Sequence, residues 1–304
     1  MRGGKVRAAT AAAIETGRWS IEQTDRAAHR IDIPATLDTN WQQWFLLISD
    51  LHLDNPHCLR DRLRKNLAEA VARNAIVLIV GDALDLMQGK YDPRSNKADL
   101  RPEYIGKPYL QAVMDDWSAF MATSAANVAL VTRGNHEQSV SRRVEWDIAG
   151  NLSARLRHDH AAPTMTGAYA GYVRLMFAQE HGVARSLTVA YDHGSGGGGP
   201  VTRGVIGTNR RATYTPDADW ILTGHVHERW HVETTQERLT RVGKVILRPQ
   251  HHLCLGGYKE ERLQGSEFHV ERGRGPKPIG GYWARVYING TKERILATDF
   301  TMTN

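Results

Sequence analysis

Apolar residues along the chain fall first into an alternation of strand, helix and strand. Trp44–Ser49 is an apolar run of buried-strand length, and Leu59, Leu63, Leu67 and Val71 recur every four residues as one helical stripe. Ala75–Val80 reads as a second buried strand. Pro108 opens a further helix with Leu110, Val113, Met114, Trp117 and Phe120 on one face, leading into a strand at Val128–Thr132. This β-α-β-α-β order predicts parallel strands covered by helices. A third helical stretch near Val144–Leu156 follows, and the pattern then turns to strands at Tyr172–Phe177, Leu187–Tyr191, Trp220–Leu222, Val245–Leu247, Tyr282–Ile288 and Arg294–Thr298. The expected fold is α/β, with two packed mixed sheets flanked by helices.

Polar stretches divide this pattern. Residues 1–40 are rich in Ala and Thr and close at Pro34, which predicts an N-terminal arm with a short helix or two ahead of a domain over 41–304. Three excursions are expected within that domain. The first, near 86–107, carries Tyr91, Arg94, Lys97 and Arg101. The second, near 194–211, contains Gly196–Gly199 followed by Arg203, Arg210 and Arg211, and the third covers 256–281.

Composition narrows the classes. With 304 residues, 41% of them hydrophobic, the chain can bury a large core. No apolar stretch reaches the roughly 18 residues of a membrane helix, so no membrane partner is expected. Cys58 and Cys254 are the only cysteines and form no Cys-x-x-Cys pair, which points to packing residues in a reducing cytoplasm. A formal charge of +6 and a pI near 9.4 favour an anionic partner without establishing nucleic-acid binding.

The chemistry collects where the strands end. Ser49-Asp50-Leu51-His52, Gly81-Asp82-Ala83-Leu84-Asp85, Gly134-Asn135-His136-Glu137, Asp192-His193-Gly194 and Gly224-His225-Val226-His227 each follow an expected strand. Ligands of open α/β sheets sit at strand carboxyl ends. Residues two apart on an extended strand project to one side, so Asp50 with His52, and His225 with His227, are expected to converge as pincers. A lone Asp-x-His is weak, but five such motifs in order are not an accident of composition.

In these motifs the chain resembles the calcineurin-like metallophosphoesterases, whose ordered signature is Asp-x-His, Gly-Asp-x-x-Asp, Gly-Asn-His-Glu/Asp, His and Gly-His-x-His. The resemblance covers about Trp44–Glu228. It implies a four-layer αββα sandwich and a two-metal phosphoesterase acting on a phosphomonoester or phosphodiester through a metal-bound hydroxide. It also implies one metal on Asp50, His52 and His227, a second on Asn135, His193 and His225, and Asp82 bridging both. His136 would be the general acid, delivering a proton to the leaving oxygen.

Imidazole nitrogens with carboxylate and amide oxygens suit Mn²⁺ first, with Fe²⁺, Zn²⁺ or Co²⁺ also fitting, whereas a cage of oxygens alone would favour Mg²⁺ or Ca²⁺. Asp85 and Glu137 are candidates for holding ligand imidazoles in one tautomer, or else surface carboxylates. His57, His181 and His231 receive no catalytic role. His251 and His252 read as structural or rim residues, and Trp41, Trp44 and Trp117 as core. One alternative is a DNA nuclease of the same superfamily, on the strength of Asp50-Leu51-His52-Leu53 and the basic stretches Arg203–Arg211 and Arg272–Lys277. A remote one is an inactive protein-binding scaffold, which the retention of every motif residue opposes. The sequence assigns no oligomeric state.

Overall fold

In the computed structural model the expected parallel strands are β4 (Gln42–Ile48), β5 (Ile76–Ile79) and β6 (Val128–Thr132). Neighbours among the three pair in parallel. Their apolar runs are unbroken because both faces are covered, as buried parallel strands require. Alternate residues serve different cores: Leu46 and Ile48 face the helices, whereas Phe45 and Leu47 face the second sheet. The described residues are 14–15, 18–88, 95, 100–178, 184–197, 199, 203–262, 270, 273, 275–290 and 295–304. Tyr91, Arg94, Lys97, His181 and Arg272, singled out in the sequence, lie outside them.

The helical layer is α1 (Arg60–Ala72), α2 (Tyr109–Met121), α3 (Asn135–Val144) and α4 (Ile148–His160). Helix α1 buries Leu63, Asn66, Leu67 and Ala70, while Val71 is 39% exposed. A strict spacing of four overshoots the helical repeat of 3.6, so the stripe drifts by about 40° per step and carries Val71 off the buried face. Helix α2 buries Val113, Met114, Trp117 and Met121, and the Trp117 indole donates to the Leu152 carbonyl of α4 at 3.2 Å.

The six-stranded sheet runs β14-β13-β4-β5-β6-β7, where β7 is Met165–Gly167, β13 Tyr282–Asn289 and β14 Ile295–Met302. The eight-stranded sheet runs β1-β2-β3-β8-β9-β10-β12-β11. Its strands are β1 (Ile14–Glu15), β2 (Ser20–Asp25), β3 (Ala28–Pro34), β8 (Ala170–Ala178), β9 (Arg185–Asp192), β10 (Trp220–Thr223), β11 (Trp230–Leu239) and β12 (Val245–Cys254). Both sheets are mixed, as expected. The core between them includes Phe45, Leu78 and Leu130 from one sheet and Ile31, Val173, Val189, Leu222 and Leu253 from the other.

Three expectations are corrected. Residues 20–34, expected as arm with short helices, are β2 and β3, and β3 pairs in parallel with β8. The alternation is there in His29, Ile31 and Ile33, all buried, but the polar residues between them hide it. Strand β11 alternates part-buried and exposed residues with little apolar content, so it went unread, and its partner β12 runs well past Leu247. The excursion near 194–211 also holds a helix, α5 (Ile206–Tyr214). Among the described residues, no helix is long and apolar enough to cross a membrane.

Candidate metal centre

Strands from both sheets deliver their motifs to one place. Asp50 and His52 follow β4, Asp82 follows β5, Asn135 and His136 open α3 after β6, His193 follows β9, and His225 and His227 follow β10. The pincers do converge, but not by strand alternation. Asp50, His52, Asp82, His225 and His227 all have positive φ, from 46° to 71°. These are loop residues in the left-handed region, a conformation that costs a non-glycine residue about 1–2 kcal/mol and that clusters at functional sites. The motif glycines have a related cause. A Cβ on Gly134 would collide with the Asp82 carboxylate, and one on Gly224 with Ser49 Oγ and the Asp50 carboxylate.

One cluster is Asp50, His52 and His227. His52 Nδ1 lies 2.9 Å from Asp85 Oδ1, and His227 Nδ1 lies 3.2 Å from Glu261 Oε2. Glu261 takes the Nδ1–H of His227 and Asp85 Oδ1 sits beside His52 Nδ1, an arrangement that leaves both Nε2 atoms as acceptors. These two acceptors nonetheless face each other at 3.1 Å, with Asp50 Oδ1 3.4 Å from His227 Nε2. Asp50 Oδ2 is occupied elsewhere, accepting from Ser49 Oγ at 2.6 Å and the His225 amide at 2.9 Å.

The second cluster is Asp82, His193 and His225. His193 Nδ1–H donates to the Val80 carbonyl at 2.9 Å, so Nε2 is again an acceptor, 3.1 Å from Asp82 Oδ2 and 3.1 Å from Asn135 Oδ1. Asn135 Oδ1 also lies 2.6 Å from His225 Nδ1. Acceptors crowded in this way repel unless a cation sits among them, and imidazole, carboxylate and amide donors suit a divalent ion of intermediate softness. The residues present therefore fit a metal. The same demand for positive charge raises the affinity of two of these rings for a second proton, on Nε2, which a metal would displace: burial opposes protonation, yet Asp82 and Asp50 raise His193 to about 10, and Asp50 with Glu261 raises His227 to about 10. Burial likewise works against the Asp82 carboxylate, but His136 and His193 hold it below the usual range.

His136 completes a third grouping with His52 and Asp82. Its Nδ1 lies 2.5 Å from the Asp85 carbonyl, and its Nε2 is turned inward, 3.8 Å from Asp82 Oδ2. Of the two supporting carboxylates considered from the sequence, Asp85 does reach an imidazole. Glu137 does not. It accepts from the amides of Asp82, Leu84 and Gly134 at 3.1, 3.1 and 2.9 Å, and burial, then Asp82, raises it to about 7. Two supports escaped the sequence reading. Asp54 accepts from the amides of Asp85 and Leu86 and from the Tyr109 hydroxyl, and Glu261 contacts His227. Neither belongs to a motif, so neither carried a signal.

A family model described as calcineurin-like phosphoesterase matches residues 44–229, more than half of the chain. The chain belongs to that family. Members typically bind divalent metals, and the His and Asp clusters of this calcineurin-like phosphoesterase are able to hold them. No match was found among curated proteins. Solved structures that match the chain include a conserved uncharacterized protein, a predicted phosphoesterase, from Streptococcus pneumoniae TIGR4. It is 13% identical with a TM-score of 0.32, over 86% of this chain and 91% of that one. GAP50 of Plasmodium is 10% identical with a TM-score of 0.42, over 86% and 85%. Vacuolar protein sorting 29 of Cryptosporidium parvum is 13% identical with a TM-score of 0.34, over 86% and 98%.

The remaining candidates sort by position. His251 and His231 meet at 3.2 Å and pack on Phe300, and His252 is buried against Gln250, all away from the motif loops. Trp117 is fully buried, whereas Trp41 and Trp44 are half-buried at the edges of the two cores. Among the described residues of the basic stretches, Arg203 and Lys277 both bind Glu228, at 2.7 and 2.6 Å, and Arg211 reaches Asp192 at 3.3 Å. Arg210 is exposed.

Proposed function

We propose that this protein is a two-metal phosphoesterase hydrolysing a phosphomonoester or phosphodiester. In this reading Asp50, His52 and His227 hold one ion, Asn135, His193 and His225 hold the other, and Asp82 is shared. The observation that carries it is the pair of clusters, Asp50 with His52 and His227, and Asp82 with His193 and His225, in which ligating atoms crowd one another. Two divalent ions there, Mn²⁺ by preference and Fe²⁺, Zn²⁺ or Co²⁺ as substitutes, would supply charge for the phosphoryl oxygens and a water acidified enough to attack phosphorus.

The chain's own residues supply the rest. Ser49 and the His225 amide hold Asp50 Oδ2, so that Oδ1 faces the cluster. Glu137 fixes the amides of the loop that carries Asp82. The Asp85 carbonyl takes the Nδ1–H of His136 and aims its Nε2 inward, where a proton on Nε2 can pass to the departing alcohol oxygen. Deep burial of Asp50 and His193 excludes bulk water and strengthens each charge interaction. The nuclease alternative would draw on the same centre, with a nucleic-acid backbone competing against the carboxylate partners of Arg203, Arg211 and Lys277.

The test is a substrate panel on protein loaded with Mn²⁺: a chromogenic phosphomonoester, a chromogenic phosphodiester, and single- and double-stranded DNA. Hydrolysis of a small ester is expected. Failure on every substrate with Mn²⁺, Fe²⁺, Zn²⁺ and Co²⁺ in turn would overturn the proposal, and cleavage of DNA alone would restore the nuclease reading.

A further inference from the structure

The stretch after β12 is expected from the sequence only as a charged excursion, yet its first residues are tied by backbone to the loop bearing Asp50 and His52. The Tyr258 amide donates to the Asp50 carbonyl at 2.9 Å, the Leu59 amide to the Tyr258 carbonyl at 2.7 Å, and the Glu260 amide to the His57 carbonyl at 2.9 Å. Tyr258 is fully buried, and its hydroxyl donates to Asn66 Oδ1 at 2.8 Å. Gly257 packs so closely that a Cβ there would lie 3.2 Å from Asp50 Cβ and 3.5 Å from His227 Cγ.

From this rigid mount two side chains reach toward the two histidines of one cluster. Lys259 Nζ lies 3.2 Å from Asp85 Oδ1, the oxygen that is 2.9 Å from His52 Nδ1, while Asn55 Nδ2 donates to Asp85 Oδ2 at 3.0 Å. Glu261 Oε2 lies 3.2 Å from His227 Nδ1. The side chains of Lys259, Asp85, Glu261 and His227 are 16%, 5%, 13% and 13% exposed, so these are sheltered contacts rather than surface ion pairs.

We infer that Lys259 and Glu261 are positioning residues for the ion held by Asp50, His52 and His227, an inference that rests on the metal-centre reading above. Glu261 takes the Nδ1–H of His227 and keeps the Nε2 lone pair on the ion. Lys259 fixes the carboxylate that does the same for His52. An imidazole without such a partner is free to rotate or to put its proton on Nε2, and both outcomes weaken ligation. The contacts run from Glu261 to His227 and from Lys259 through Asp85 to His52, so the effect is expected at one ion of the two.

The test is Mn²⁺ binding to the full chain after stripping by chelator, read by equilibrium dialysis and elemental analysis. Glu261→Ala and Lys259→Met are each expected to weaken one ion by about 10–100-fold while the other binds as in the parent, and that second ion reports that the fold is intact. Glu261→Gln, which still offers an acceptor oxygen, should lose less than Glu261→Ala. In a His227→Ala background Glu261→Ala should cause no additional loss, because its only route to the ion is gone. Two ions binding with parental affinity to Glu261→Ala, or an equal extra loss in the His227→Ala background, would overturn the inference alone. A parent that binds no Mn²⁺ would overturn the metal-centre reading and this inference with it.

Discussion

Asp50, His52, Asp82, His225 and His227 share a backbone conformation that their residue types disfavour. The order of motifs identified these residues, and their types were legible because few side chains ligate metals. Their left-handed backbone was not, since Asp and His adopt it only when surrounding contacts impose it. Here those contacts include the Gly81 carbonyl accepting the Asp50 amide and the Asp82 carbonyl accepting the His52 amide, at 3.1 and 3.2 Å. His136 gives the sharpest prediction at this scale, because its position allows two roles: acid, or ligand with His52 and Asp82. As the acid, His136→Ala should keep Mn²⁺ but lose turnover by about 10²–10⁴-fold on an ester with a poor leaving group, and far less on one with a good leaving group. Steady-state kinetics on a series of aryl phosphoesters measures this. Equal losses across the series, with weaker Mn²⁺ binding, would make His136 a ligand.

The elements place these residues by bringing the ends of β4, β5, β6, β9 and β10 to one edge of the sandwich. The buried parallel strands were legible as unbroken apolar runs, and α1 and α2 as periodic stripes, whereas the helical stretch expected near Val144–Leu156 is the end of α3 and most of α4 with a break between them. Strands β2, β3 and β11 were not, because each has one face in contact with water or a polar partner and its alternation is diluted by Glu, Gln, Arg and Thr. The packing between loops makes the motif glycines structural necessities. Gly224→Ala should displace the Ser49 hydroxyl and the Asp50 carboxylate, since an added Cβ would lie 2.0 Å from Ser49 Oγ and 2.6 Å from Asp50 Oδ2. The expected result is weaker Mn²⁺ binding at the Asp50 ion together with a modest loss of stability, read from equilibrium dialysis and urea denaturation of the same variant. Parental Mn²⁺ affinity in Gly224→Ala would contradict the close approach described here.

At the scale of the whole molecule, two sheets close over a core in which His29 of β3 is buried and burial lowers its pKa. His252 of β12 is lowered to about 4, mainly by burial. Both rings are neutral in the folded chain and gain protons more readily when it unfolds. These two rings therefore favour the unfolded state below pH 6.5, and their contribution to stability should fall as pH drops from 6.5 toward 4. Urea denaturation of the metal-free protein at pH 7 and pH 5 measures the fall, and His29→Leu should reduce it; an unchanged pH dependence in that variant would contradict the assignment to His29. In the proposed reading the ligands come from both sheets, so metal content and hydrolysis should rise and fall together. The decisive measurement is phosphodiester turnover against Mn²⁺ bound per chain, starting from protein stripped by chelator. The account predicts no turnover without metal, two ions bound at saturation, and activity that follows the second ion. Full turnover in excess chelator after prolonged dialysis would contradict it.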